Sequence, residues 1–467
     1  MTTQVGPIDA VIVGGGIAGL VTAWELARAG RRPLLLESSD VVGGAVARHT
    51  VAGLVLDAGA ESYATATPAV TTLIRELGLG PKMVQPNPIG AWVRHAGGTA
   101  PLPAAALLGI PAHPLAADVR RILGPVGAAR AGLDLLLPGG FGTGKPGSLG
   151  ALVGRRMGRA VVDRLVEPVA GGVYSTDPDN LDVDAVQPRL RAAAQQAGSL
   201  AEAVRLLRGN DARPGSAVAG LAGGMWVLAE TLRRAVEELG GTIRTDSGVR
   251  TVRPDSQGWV VTTRTTTFRA PNVVLGVPGQ VVQQLLAGID VSLPSATAQS
   301  SDVMLVTLVL DHSGLDSHPR GTGILVSRRA GSVTAKALTH ATAKWSWLAG
   351  EAGAGRHVLR LSYGRGGSGH PSSDGLVELS VRDAATLTGV GLRLEHLVDS
   401  AVVSWTSTLP RPAPGHRATI TALRAQVAAQ AGLYLVGSMV AGTGLAAVIA
   451  DARSTSASIL GADPSNG

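Results

Sequence analysis

Apolar positions set two periods at the start of the chain. Ala10-Val11-Ile12-Val13 is an unbroken apolar run, as expected of a strand buried on both faces. Leu20, Val21, Trp24, Leu26 and Ala27 then recur at helical spacing, and Gly30 supplies a C-cap. A second apolar run, Pro33-Leu34-Leu35-Leu36, ends in Glu37. Between the first strand and the helix stands Gly14-Gly15-Gly16-Ile17-Ala18-Gly19. The order is therefore strand, G-x-G-x-x-G, helix, strand, acid. Each part has a task in dinucleotide binding. Gly14 permits the tight turn, Gly16 lets backbone approach a pyrophosphate, and Gly19 lets helix pack on strand. The helix N-terminus offers free N–H groups to phosphate, and Glu37 can accept from ribose hydroxyls.

Further along, 54–63 reads as a strand entering a turn and 68–79 as a helix stopped by Gly78. Residues 86–103 read as a strand pair around Gly97-Gly98. Residues 111–208 are mostly helical in pattern, with a loop at 138–146. Residues 215–224 read as a loop and 226–239 as a helix. Val/Thr alternation over 243–275 predicts β-structure, with further strands at 303–310, 324–327, 358–363 and 401–405. Strand then helix return at 433–436 and 444–460, so the chain begins and ends in nucleotide-binding material.

Composition narrows the chemistry. The 467 residues include no Cys, which excludes disulfides, thiolate metal sites, Cys nucleophiles and a thioether-linked cofactor. Two Phe, four Tyr and seven Trp are few rings for stacking on single-stranded nucleic acid. Net charge is +7, but the basic residues come in pairs such as Arg31-Arg32, Arg155-Arg156 and Arg328-Arg329, never in a run of five. No nucleic-acid partner is expected; an anionic small substrate or an anionic membrane surface remains. Residues 1–8 have no signal-peptide pattern, so a cytoplasmic location is expected, with peripheral membrane contact left open. The uncharged stretches at 96–117 and 425–450 hold too many Pro, Gly or Gln residues to read as spans.

Ser38-Ser39-Asp40-Val41-Val42-Gly43-Gly44 after Glu37 resembles the second glycine motif of the FAD-dependent amine oxidase and protoporphyrinogen oxidase superfamily, and favours FAD over NAD. Asp163-Arg164-Leu165-Val166-Glu167-Pro168 with Gly171-Gly172-Val173-Tyr174 narrows the likeness. So do Gly223-Gly224-Met225, Lys344-Trp345 with Trp347-Leu348-Ala349, and Leu409-Pro410 with Gly415-His416. Together they resemble the protoporphyrinogen and coproporphyrinogen III oxidases of Gram-positive, especially high-GC, bacteria. The resemblance implies an α/β fold. It has a Rossmann-like FAD-binding domain of the amine-oxidase type, an inserted mixed β-sheet substrate domain and a helical subdomain. The boundaries it suggests are FAD-binding at 1–85, 212–290 and 412–467, a helical insert with strands of the substrate domain at 86–211, and the substrate sheet at 291–411.

The resemblance also implies an FAD-dependent oxidoreductase of haem biosynthesis, acting on CH–CH bonds with oxygen as acceptor. Such an enzyme removes six electrons from a porphyrinogen, with flavin N5 as hydride acceptor and H2O2 as by-product. No side chain is then required as acid, base or nucleophile, and no metal set is read. The expected cofactor residues are Gly14, Gly15, Gly16, Ile17, Ala18, Gly19, Glu37, Ser38, Gly44, Ala45, Gly59, Ala60, Glu61, Ser62, Val249, Trp405, Thr443, Gly444 and Leu445. The FAD is expected to be non-covalent. The substrate is expected to be an anionic tetrapyrrole, and a transient haem-pathway enzyme partner is a further expectation.

Four positions depart from the family pattern. Ala45 follows the second glycine pair where Lys or Arg is usual, and Ala66-Thr67 stand where a basic pair is usual. His340 replaces a common aromatic, and Met439-Val440-Ala441 replaces a Tyr-x-Gly. His340, Lys336, Arg94 and Arg365 are the candidates for substrate carboxylates, with Arg328, Arg329 and Lys344 beside them. Another amine oxidase or desaturase of the superfamily, or a catalytically decayed paralogue that binds flavin or tetrapyrrole, remains as an alternative.

Overall fold

The computed structural model describes residues 7–144, 147–208, 218–294, 300–365, 372, 374–410 and 412–461. A five-stranded parallel sheet organises the two ends of the chain. Its order is Thr242–Arg244, Pro33–Leu36, Ala10–Val13, Asn272–Leu275 and Leu433–Leu435. Ala10–Val13 and Pro33–Leu36 are buried along their whole length, which is why they read as apolar runs rather than alternations. Ile17–Arg28, Trp226–Glu238 and Leu445–Gly461 pack on one face through Leu20, Val21, Leu228 and Ile449. The other face carries the antiparallel strands Val249–Asp255, Gly258–Thr263 and Thr267–Ala270, with the helices Gly279–Leu285 and His416–Ala428.

A seven-stranded mixed sheet stands against this layer. Its order is Leu397–Pro410, Ser300–Asp311, Arg356–Tyr363, Ala337–His340, Gly323–Val326, Trp92–His95 and Gly98–Pro101. Only Gly323–Val326 and Trp92–His95 pair in parallel. Helix Leu376–Thr388 covers one face, meeting Leu308, Leu359 and Leu361. Val309 and Val358 on the opposite face meet Val51 and Leu56 of the hairpin Arg48–Val51/Leu54–Asp57.

Residues 117–144 and 147–208 form a third, helical core around Ile122, Leu152, Val161, Leu165 and Leu200. Strand residues Val93 and Ala100 join that core, so the strand pair read at 86–103 ties it to the large sheet. Helix Ala117–Gly132 is kinked at Gly124, whose φ of 75° precedes Pro125.

The structure differs from the sequence reading at several elements. The loop expected at 215–224 holds the strand Val218–Leu221, which pairs with Tyr63–Ala64 and Met83–Val84; residues 209–217 lie outside the described residues. Helices Leu376–Thr388 and His416–Ala428 were not expected. Both follow a left-handed glycine, Gly375 (φ 71°) and Gly415 (φ 89°), in place of a Ser, Thr or Asp cap. The strands expected at 303–310 and 401–405 extend to Ser300–Asp311 and Leu397–Pro410. Among the described residues, no helix is long and apolar enough to cross a membrane.

Candidate functional site

The first glycines are fixed by backbone contacts that admit no side chain. Gly14 has a φ of 105°, and a Cβ there would lie 2.6 Å from the Gly276 carbonyl oxygen. A Cβ on Gly19 would lie 2.0 Å from the Gly14 carbonyl oxygen, so helix and strand touch backbone to backbone. Gly16 differs: nothing lies within 4 Å of its Cβ direction. It is the N-cap of Ile17–Arg28 and has no side-chain cap, so no capping side chain takes up the N–H groups of the first turn. Glu37 is held from behind. Gly15 N donates to Oε2 at 2.7 Å, while Ser39 N, Ser38 Oγ and Ser39 Oγ donate to Oε1 at 2.8, 3.1 and 2.9 Å. Ser247 N donates to the Glu37 carbonyl at 2.7 Å, and a Cβ on Gly248 would lie 3.5 Å from Ser38 Cβ, with half-buried Val249 next in the chain.

A second turn stacks on the first. Gly43 N donates to Gly15 O at 2.8 Å, and a Cβ on Gly44 would lie 3.2 Å from Gly16 Cα. Ala60 N donates to Ala45 O at 2.8 Å. A Cβ on Gly59 would lie 2.1 Å from Ala45 O and 3.3 Å from Trp405 Cζ2. Trp405 Nε1 donates to Ala58 O at 2.9 Å, so Ala45, Gly59 and Trp405 form one surface. Asp57 closes the turn's base by accepting from Met225 N and Trp226 N, both at 3.0 Å, which caps Trp226–Glu238. Burial pushes its carboxyl up to about 6 against those two bonds.

Glu61 and Ser62 continue the turn, and Ser62 is half-buried. The Glu61 carboxylate receives Lys344 Nζ at 2.6 Å and Arg360 Nη1 at 2.8 Å. Arg360 Nη2 also donates to Gly59 O at 2.7 Å. Burial alone would raise the Glu61 pKa; Lys344 and then Arg360 outweigh it and hold the group at about 2.

The third element is the start of the last long helix. Gly442 (φ 91°) and Gly444 (φ 106°) have nothing within 4 Å of their Cβ directions. Between them, Thr443 Oγ1 is buried without a hydrogen-bond partner. Leu445 opens the helix Leu445–Gly461. Free space over Gly16, Gly442 and Gly444, an orphaned hydroxyl and two helix N-termini fit a long anionic dinucleotide.

The sequence-predicted substrate residues do not converge. Arg365 pairs with Glu167 (Nη1 to Oε1, 3.0 Å), Arg329 with Asp163 at 2.9 Å, and Arg328 lies 3.9 Å from Asp177. Lys344 is taken by Glu61. Arg94 is half-buried, donating to the hydroxyls of Thr99 (3.1 Å) and Ser332 (3.3 Å), with Nε unpartnered. His340 is 3 % exposed and faces His357, Nε2 to Nδ1 at 3.1 Å; His357 Nε2 lies 2.9 Å from Asp316. Burial, then His357 and His318, lower the His340 pKa to about 3, so the ring is neutral and turned inward rather than a cation for substrate. Ala66 and Thr67 are exposed.

Lys336 is 1 % exposed and donates to the Ser175 hydroxyl. Ser175 sits in left-handed backbone (φ 50°) at the end of Glu167–Tyr174, so this bond joins the helical core to the large sheet. Burial, then Arg365, lowers the ammonium pKa from 10.5 to about 7. Between those values the unfolded chain binds more protons than the folded one, so stability rises with pH across that window. Lys336→Met is expected to flatten that rise and to stabilise the protein by roughly 2 kcal/mol near neutral pH. Urea unfolding as a function of pH measures both effects.

Arg360 and Asp57 were missed as site residues. The signal for Arg360 was present: an arginine inside the apolar strand His357-Val358-Leu359-Arg360-Leu361 has to find a buried partner.

The chain matches the family model described as flavin containing amine oxidoreductase over residues 17–460. It is 29% identical over 449 residues to a protein of Mycobacterium tuberculosis named coproporphyrinogen III oxidase, covering 92% of this chain and 94% of that one. The Bacillus subtilis protein of the same name is 25% identical over 94% of this chain and 95% of its own. Among solved structures, a putative protoporphyrinogen oxidase from Exiguobacterium superposes with a TM-score of 0.84 at 30% identity, covering 98% of this chain and 99% of that one. Putrescine oxidase shares the fold at a TM-score of 0.67 and 17% identity. The glycine loops, the capped helix ends and a match that runs nearly the length of the chain place this protein in the flavin containing amine oxidoreductase family, as an oxidoreductase whose cofactor is FAD.

Proposed function

We propose that the chain oxidises coproporphyrinogen III to coproporphyrin III in haem synthesis. Six hydrogens leave the macrocycle and three O2 become three H2O2. The observation that carries this reading is the match to relatives named coproporphyrinogen III oxidase over more than nine-tenths of both chains. The chemistry of the site agrees with it. Glu61, Lys344, Arg360 and Asp57 are spent on one another or on backbone, so none is held free as an acid or base. Bound FAD supplies the two-electron acceptor that such an oxidation needs. The protein's share is then placement. The amides at the starts of Ile17–Arg28 and Leu445–Gly461 would hold the cofactor's polar backbone. The Ala45–Gly59–Trp405 surface would orient the flavin against which a macrocycle is placed. Of the four named substrate candidates, Arg94 is the cation with only hydroxyl partners outside a fully buried setting, and it is the first choice to meet a substrate carboxylate.

Anaerobic addition of coproporphyrinogen III to the yellow protein is expected to bleach the flavin bands. Readmitted air should give porphyrin fluorescence with three H2O2 per ring. Fully flavin-loaded protein that forms porphyrin no faster than buffer would overturn the reading. Bleaching by a polyamine alone would select an amine substrate instead, and porphyrin binding without turnover would select a decayed paralogue.

A further inference from the structure

Successive contacts lead away from the phosphate-binding amides in two directions. Toward Glu37, Ser38 and Val249 the chain would line the adenosine side. In the other direction Gly44 lies on Gly16, Ala60 bonds Ala45, and Gly59 lies on Ala45 O. If FAD lies along these glycine turns, each step would lead from its phosphates toward its redox end. The step after Gly59 is Arg360, whose Nη2 donates to the Gly59 carbonyl and whose side chain is 8% exposed. A fixed, buried cation therefore stands directly behind the turn that the family resemblance assigns to the flavin side.

We propose that Arg360 is a positioning residue that raises the reduction potential of the bound flavin. A reduced flavin carries negative charge that the oxidised form lacks, so a nearby cation in a low-dielectric setting favours reduction. The charges around Arg360 make it the deciding one. Glu61 is answered by Lys344 on its other oxygen. Asp57 is answered by the Met225 and Trp226 amides. His49, lowered to about 4 by burial and then by Arg360, is neutral. Removing Arg360 takes one positive charge from the cluster and leaves every neighbouring anion in place. The effect concerns the cofactor alone and holds whatever substrate the enzyme takes.

The test is the flavin midpoint potential, read by anaerobic dye-calibrated reduction of FAD-loaded protein with no substrate present. Arg360→Met is expected to lower it by about 30 mV or more, a tenfold loss in the preference for reduced over oxidised flavin for a two-electron couple. Glu61→Gln is expected to move it in the opposite direction, because it removes an anion from the same place. Arg360→Lys should restore most of the loss. A merely structural role would shift both variants the same way or neither. Lys344→Gln removes the cluster's other cation, and it decides the matter if Arg360→Met does not retain flavin: a fall in potential supports the proposal. An unchanged potential in Arg360→Met or, failing that, in Lys344→Gln would overturn it. So would a parallel shift of Arg360→Met and Glu61→Gln.

Discussion

Gly16→Val is expected to fold and to purify colourless. Gly16 has an ordinary φ of −68° and nothing within 4 Å of its Cβ direction, so the apoprotein accommodates a side chain at little cost. The free space is what a pyrophosphate would fill against the Ile17 and Ala18 amides. A valine there occupies it and masks both donors. Flavin affinity should fall by at least about 100-fold, near 2.7 kcal/mol. The ratio of flavin to protein absorbance reads the loss, and urea unfolding of the apoprotein should change by less than about 1 kcal/mol. Gly19→Ala gives the contrast. Its methyl would meet the Gly14 carbonyl oxygen, so the same measurements should show lost stability together with lost flavin. A Gly16→Val protein with full flavin content would remove the phosphate from this loop.

The largest expected loss of stability lies far from the cofactor. Arg156 and Asp134 are both 0 % exposed, and Arg156 Nε meets Asp134 Oδ1 at 2.5 Å. Arg156 Nη1 also donates to the carbonyls of Pro138 (3.0 Å) and Phe141 (2.9 Å), and Nη2 to those of Asp134 (3.3 Å) and Gly198 (3.2 Å). Asp134 Oδ2 accepts from Ala201 N at 2.8 Å. One guanidinium thus satisfies a whole buried loop and the helix ends beside it. Arg156→Met would strand Asp134 as an unpaired buried carboxylate, with its carbonyls unsatisfied. A loss of about 3–5 kcal/mol is expected by urea unfolding. The double variant Asp134→Asn/Arg156→Met should lose clearly less than the sum of the two single losses, since the second change removes a group already orphaned. Flavin content of the surviving folded protein should be unchanged, because this helical core shares no residue with the glycine loop.

The parts of the site made of backbone were legible in the sequence; the parts made of long-range charge were not. Gly14, Gly19 and Gly44 stand where a Cβ or an ordinary φ fails, and that demand is local enough to leave a motif. Ala10–Val13 and Pro33–Leu36 were legible because burial on both faces leaves unbroken apolar runs. Arg365 and Lys344 looked like free cations because their acids, Glu167 and Glu61, are far away in sequence and brought close only by the fold. Lys336 and His340 read as candidates for substrate carboxylates for the same reason, since the cover over their strand comes from elements elsewhere in the chain. Helix Leu376–Thr388 is hard to place from sequence because a left-handed glycine, not a Ser, Thr or Asp, occupies its N-cap.

The central parallel sheet also orders events during synthesis. The glycine loop at 14–19 leaves the ribosome early, but its sheet is completed only by Asn272–Leu275 and then Leu433–Leu435. The amides at 443–445 come later still, after both inserted regions have been made. Every neighbour pair that closes this sheet, apart from Ala10–Val13 with Pro33–Leu36, joins segments separated by more than 150 residues. Such pairings are slow to form and leave apolar strand edges exposed in the meantime. Capture of flavin is therefore a late step in folding, and a yellow nascent chain would mark one that has already closed its central sheet.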